Sequence, residues 1–263
     1  MGRPIGIFDS GLGGLTVLKV LAKAFPHESF CYLGDIARLP YGNKSPETIR
    51  RYGLQILNYL KLQDVKAIII ACNSASTVFL GEKEFEGIPL LNVIEPGSAA
   101  ALEICKDNKI AVLGTPATIR SHAYRDTLHR MAPGTQVIEQ ACPLLVPIVE
   151  EGMVNDPITE MIVRRYLSEI QAKNFTTVIL GCTHYPVIKD DLRKVLGDKV
   201  HLVESGDVLA RELKGLITDQ VIEKSAEPQK IRVCITDLTD HFERLAHHLM
   251  APIAIGELEQ IVL

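Results

Sequence analysis

The chain has 263 residues, 28 Lys and Arg against 32 Asp and Glu, a net charge of −4, and 47% apolar, 23% charged and 5% aromatic residues. That composition supports a sizeable globular core and excludes disordered and fibrous classes. The paired arginines Arg50-Arg51 and Arg164-Arg165 are isolated, so no basic stripe points to nucleic acid as a main partner, and apolar stretches such as 65–72 and 177–182 fall far short of the ~20 residues that cross a bilayer.

The first six residues, Met1 to Gly6, carry no apolar signal core, and position 6 lacks the Ser or Thr of a myristoylation site. A cytoplasmic location without a membrane partner is expected. In chain order, the pattern predicts a strand over 5–8, a helix over 12–24 and a strand over 30–33. Ser45-Pro46-Glu47 opens a helix to about residue 60, with strands at 67–71, 90–94, 109–114 and 136–141 after it. Asp156-Pro157 opens another helix to about residue 172, and strands at 177–181, 200–203 and 231–235 complete the series. This alternation predicts an α/β fold with mostly parallel sheets flanked by helices and right-handed crossovers, and two such sheets suit the length.

Two stretches echo each other: Ile68 to Ser74 and Val178 to His184 each read as a strand ending in Cys. Their partners echo too. The run Ile5 to Gly11 precedes the first, and Ile110 to Thr115 precedes the second. A duplication is the economical reading, and it predicts two similar lobes related by a pseudo-two-fold axis.

Ligands of open α/β sheets bind beyond the carboxyl ends of the strands. Asp9, Asp35, Cys72, Glu95, Thr115 and Cys182 all fall there, although any one of them could simply cap a helix. The loop Asp9 to Gly14 meets neither nucleotide-binding motif, but glycines between a strand and a helix expose N–H groups suited to a small carboxylate. The six cysteines (31, 72, 105, 142, 182 and 234) lie without CxxC pairs or zinc spacing, which predicts free thiols and no metal site. Cys31, Cys105, Cys142 and Cys234 read as inert core residues. Cys72 and Cys182 follow strands and precede helical segments, where a local dipole can lower a thiol pKa. Two thiols on facing lobes suit removal of a proton from one face of a carbon and delivery to the other. Acyl transfer by Cys182 and His184 is the competing chemistry, but residues two apart on an extended segment point to opposite sides.

The motifs Phe8 to Gly14, Asp35 to Gly42, Ala71 to Ser76 and Gly181 to Pro186 together resemble the glutamate racemases, over about residues 5 to 215. The resemblance implies a cofactor-independent enzyme that interconverts L- and D-glutamate, the D-isomer feeding peptidoglycan synthesis. It implies a first lobe of residues 1–96 plus 208–263, a second of 97–207, and an active site in the cleft between them; a homodimer is common in the family. Carried over, Cys72 and Cys182 are the acid/base thiols, Asp9 and His184 assist them, and Glu150 is a further acidic group. Ser10, Tyr41, Gly42, Asn73, Ser74, Thr115, Thr118 and Thr183 would hold the substrate, with Asp9 and His184. Aspartate racemases share the lobes and the paired cysteines but typically carry Glu at the position of His184, so the Cys182 to Pro186 run favours glutamate. The alternatives are racemisation of another acidic amino acid, such as aspartate, and a non-catalytic amino-acid-binding regulator, which would not need both thiols.

Overall fold

The computed structural model describes residues 2–263. In chain order the elements are β1 (Ile5–Asp9), α1 (Gly14–Ala24), β2 (Phe30–Gly34), α2 (Pro46–Leu62), β3 (Ala67–Ile70), α3 (Asn73–Ser76), β4 (Glu84–Phe85), β5 (Ile88–Asn92), α4 (Ile94–Ile104) and β6 (Lys109–Gly114). There follow α5 (Pro116–Arg120), α6 (Ala123–Met131), β7 (Gln136–Ala141), α7 (Leu145–Glu150), α8 (Pro157–Ala172), β8 (Thr177–Gly181), α9 (Lys189–Leu196), β9 (His201–Val203), α10 (Ser205–Thr218), β10 (Ile231–Ile235), α11 (Asp240–Met250) and β11 (Glu257–Gln260).

Two sheets form, one of seven strands in the order β11-β10-β2-β1-β3-β5-β4 and one of four in the order β7-β6-β8-β9. All pairings are parallel except β4 with β5. Within each sheet the first strand is central, the second lies on one side, and the cysteine-ended strand lies on the other with a further strand beyond it. The series β2-β1-β3-β5 is thus repeated as β7-β6-β8-β9, which is the topological form of the sequence echo. Strands β10 and β11 extend only the larger sheet. Helices cover both faces, so β1, β2, β3 and β8 are buried along their whole length and read as nearly continuous apolar runs.

Local chemistry accounts for the helix starts. Ser45 accepts the Thr48 N–H ahead of Pro46, and Asp156 accepts the Ile158 N–H ahead of Pro157. The α2 residues Ile49, Gly53, Ile56, Leu57 and Leu60, three or four apart, form its buried face. The strand expected at 90–94 lies instead at Ile88–Asn92, because the Asn92 side chain accepts the Ile94 N–H at 3.0 Å and turns the chain into α4. Strands β4 and β11 were not expected from the pattern; β11 is a largely exposed edge and so has no apolar run. No helix among the described residues is long and apolar enough to cross a membrane. All six cysteines are free thiols.

At the amino-terminal edge of the larger sheet, Lys66 and Glu28 form an ion pair at 2.6 Å with side chains 2% and 3% exposed. Lys66 Nζ also donates to the Glu223 carbonyl at 2.5 Å, and Glu28 accepts the Ser225 N–H at 2.9 Å. This buried cluster ties β3 to the segment that carries the chain from α10 back into β10.

Candidate active site

The parallel registers bring the two cysteines to equivalent places. The β1–β3 ladder ends at Phe8 opposite Ile70; two residues further, Cys72 comes opposite Ser10, with Sγ and Oγ 3.5 Å apart. The β6–β8 ladder ends at Gly114 opposite Gly181, so Cys182 comes opposite Thr115 one residue later. Both thiols, with Ser10, Asn73, Ser74, Thr115, Glu150, Thr183 and His184, line a cavity of about 300 Å³. Tyr41, Gly42, Leu39, Pro40, Cys142, Val146 and Pro147 make its walls. That is a volume suited to a small ligand. Among the described residues, no Lys or Arg lines it, so a bound carboxylate must rely on hydroxyls, N–H groups and His184.

Around Cys182 the chain turns rather than continuing extended. The Tyr185 N–H donates to the Cys182 carbonyl at 3.2 Å, leading into a short 3-10 helix over Tyr185–Ile188. This overturns the expectation that Cys182 and His184 face apart: Cys182 Sγ lies 3.7 Å from His184 Nδ1, and His184 Nε2 lies 3.1 Å from Glu150 Oε1. Burial alone would lower the His184 pKa, but its bonds to Cys182 and Glu150 prevail and push it up to about 10.

The other thiol lies among different groups. Burial, and then the charge of Asp9, push the Cys72 thiol up to about 12, so the expected lowering by a helix dipole does not occur there. The helix after Cys72, α3, is a single turn and offers too little dipole to offset desolvation. Asp9 itself does not line the cavity. Fully buried behind Ser10, it accepts the Gly11 and Gly14 N–H groups at 2.9 and 3.0 Å and the Thr183 hydroxyl at 3.2 Å. Burial pushes its carboxyl up, against the pull of His184 and these donors. The close approach needs glycine: a Cβ on Gly14 would stand 2.4 Å from Asp9 Cβ, and one on Gly13 would stand 2.4 Å from His184 Nδ1.

Three hydroxyls converge from the two sheets. Ser74 Oγ lies 2.8 Å from Thr115 Oγ1 and 3.3 Å from Thr118 Oγ1, which are 3.1 Å from each other. Thr118 stands behind the other two and does not reach the cavity wall. Tyr41 turns its hydroxyl to the buried Asp35, leaving its ring and backbone to the cavity. Asp35 also accepts Arg38 Nε at 2.9 Å and the Thr236 hydroxyl at 3.0 Å, so it braces the wall from outside. Glu95 is remote from the site: it lies in the first turn of α4, paired with Lys83 and Arg130. Cys142, read from sequence as inert core, lines the cavity; burial and then Cys182 push its thiol up. Thr16, absent from the sequence reading, lies 2.9 Å from the Thr183 carbonyl and holds the Cys182 turn against α1. Its partner is 167 residues away, so no local pattern signals it.

Two buried groups tie stability to pH in the same direction. The folded-state pKa of His184 is raised from 6.5 to about 10, so its contribution is complete below about pH 6.5 and is lost as pH rises through 10. The Cys72 thiol is raised from 9.0 to about 12, so between those values the unfolded chain ionises first and stability falls further. Urea midpoints at pH 7, 9 and 10.5 are expected to fall steadily, and to fall less steeply in His184→Asn. A flat profile, or an unchanged slope in the variant, contradicts the assignment.

The profile of the Asp/Glu/Hydantoin racemase family matches residues 13–213. A glutamate racemase of Geobacter metallireducens is 38% identical over 263 residues, covering 99% of this chain and 97% of its own. A crystal structure of a glutamate racemase isoform from Bacillus anthracis superposes with a TM-score of 0.93 at 32% identity, covering 99% of this chain and 98% of its own. That of the Francisella tularensis glutamate racemase, solved in complex with D-glutamate, has a TM-score of 0.91 at 37% identity, with the same coverage of 99% and 98%.

Proposed function

This chain belongs to the Asp/Glu/Hydantoin racemase family, and from that premise we propose that it interconverts L- and D-glutamate by passing the α-proton between Cys72 and Cys182. The observation that carries the reading is the placement of two thiols, from topologically equivalent strands, on one small cavity with separate polar partners. Ser10 and, behind it, Asp9 serve Cys72; His184 and Glu150 serve Cys182.

An amino-acid α-proton is a very weak acid, so its removal requires a positioned base and a site that stabilises the charge that develops. The Ser74, Thr115 and Thr183 hydroxyls and the backbone around Gly42 and Asn73 supply donors for the substrate carboxylates, while His184 supplies positive charge. As the family resemblance implies, Cys72 takes the proton from D-glutamate and Cys182 takes it from L-glutamate. In each direction one thiolate gains a proton and the opposite thiol loses one to the planar carbanion. The atoms balance without a further reagent, and the protein ends each turnover with its two thiols in exchanged protonation states. Cys182, His184 and Glu150 on their own would also suit a nucleophilic thiol; the second thiol is what favours proton transfer. We place the activity in the cytoplasm, supplying D-glutamate for peptidoglycan, within lobes of residues 1–96 plus 208–263 and 97–207.

The direct test follows the circular dichroism of L-glutamate, D-glutamate and L-aspartate over time with purified protein and no added cofactor. Both glutamate signals should decay to zero while the aspartate signal persists. Decay with aspartate alone assigns the other substrate, and no decay with any of the three removes the racemase reading.

A further inference from the structure

We propose that Tyr124 is the positioning residue that sets the gap between the two thiols; the proposal rests on the racemase reading above. Tyr124, on α6, is 1% exposed and does not line the cavity, so it acts only through its neighbours. Its hydroxyl donates to Asn73 Oδ1 at 2.7 Å, and Asn73 directly follows Cys72. One edge of its ring, Cε2, lies 3.4 Å from the position a Cβ on Gly181 would occupy, and Gly181 directly precedes Cys182. The other edge, Cε1, is 3.4 Å from the equivalent point on Gly97 of α4, so the ring is held between two residues without side chains.

A single flat side chain therefore bonds the residue after one thiol and leaves only van der Waals room for a Cβ on the residue before the other. Removing a proton from one face of a carbon and returning one to the other requires a fixed span between the two groups, and misplacement by about 1 Å can cost about a hundredfold. The ring sets the span only while its hydroxyl bond pins Asn73; without that bond the ring keeps its place beside Gly181 but no longer fixes the backbone that carries Cys72. Asn73 cannot follow a displaced ring freely, because its Nδ2 donates to Ser205 Oγ at 3.3 Å.

The test compares Tyr124→Phe with the parent protein from both glutamate enantiomers, first in water and then in heavy water. The expected result is a kcat about tenfold lower in both directions, with KM changed less than about threefold. In heavy water the ratio of deuterium in the recovered starting enantiomer to inverted product should rise at least about threefold. With the delivering thiol displaced, the carbanion is reprotonated by the thiol that formed it, after that thiol has exchanged with solvent. Ser205→Ala, which removes the other bond of Asn73 but leaves the Tyr124 hydroxyl bond in place, should keep the parental ratio. If Tyr124→Phe does not fold, Gly97→Val, which presses on the same ring from the other side, should raise the ratio instead. A parental kcat and ratio in the folded variant overturn the proposal, as does activity lost in step with folded protein at an unchanged ratio. An equal rise in Ser205→Ala also overturns it, because the orientation of Asn73 would then set the gap. A parent that does not invert glutamate overturns the underlying reading, whereas parental inversion with an unaltered variant ratio overturns the strut alone.

Discussion

Cys72→Ala and Cys182→Ala are each expected to lower kcat/KM for racemisation by on the order of a thousandfold or more from either enantiomer, within the upper range for a positioned acid/base group. Both directions suffer in both variants, because in the proposed mechanism each thiol is the base for one enantiomer and the acid for the other. Cys31→Ala, Cys105→Ala and Cys234→Ala should keep most of the activity, since none of these residues lines the cavity. In heavy water the parent should place deuterium in the first product formed while the unreacted substrate stays largely protiated, because the group that delivers the proton is not the one that removed it. One shared base would carry some of the original hydrogen across. Substantial racemisation in either cysteine variant sinks the two-thiol mechanism, as one remaining base cannot reach both faces of a bound carbanion.

The largest effect on stability is expected at the opposite end of the sheet. Lys66→Met leaves Glu28 buried without its cationic partner, with the Ser225 N–H as its remaining donor, and removes the bond to the Glu223 carbonyl. Breaking one side of a buried pair costs about 3–5 kcal/mol, which for a chain of this size lowers Tm by about 10 °C. The double variant Lys66→Met, Glu28→Leu should recover at least half of that loss, because two apolar side chains of similar volume carry no desolvation penalty. Thermal unfolding followed by circular dichroism measures both. A Lys66→Met protein as stable as the parent, or a double variant less stable than the single one, shows that the pair does not hold the return of the chain into β10.

Much of this protein was legible one residue at a time. The apolar runs of β6, β8 and β10 coincide with their sequence-predicted bounds, because parallel strands covered on both faces admit little besides apolar side chains. The starts of α2 and α8 were marked by Ser45-Pro46 and Asp156-Pro157, since capping is local chemistry. The repeat of a cysteine at a strand end singled out the pair of thiols and, with the other two motifs, pointed to the family. Relations between distant segments were not legible. Nothing near Cys182 shows that His184 folds back toward it, because that depends on a turn packed against Gly13 and Thr16 from the other end of the chain. Nor does the neighbourhood of Cys72 show that its thiol is pushed up, for desolvation is a property of everything that surrounds a group. The engagement of Tyr41 by Asp35, the entry of Cys142 into the cavity wall and the bridging ring of Tyr124 belong to the same class. Sequence determined which side chains are available and where the local backbone starts and stops its elements. Tertiary structure alone decided which of them meet, and in what dielectric, because contact and burial are set by the packing of segments that lie far apart in the chain.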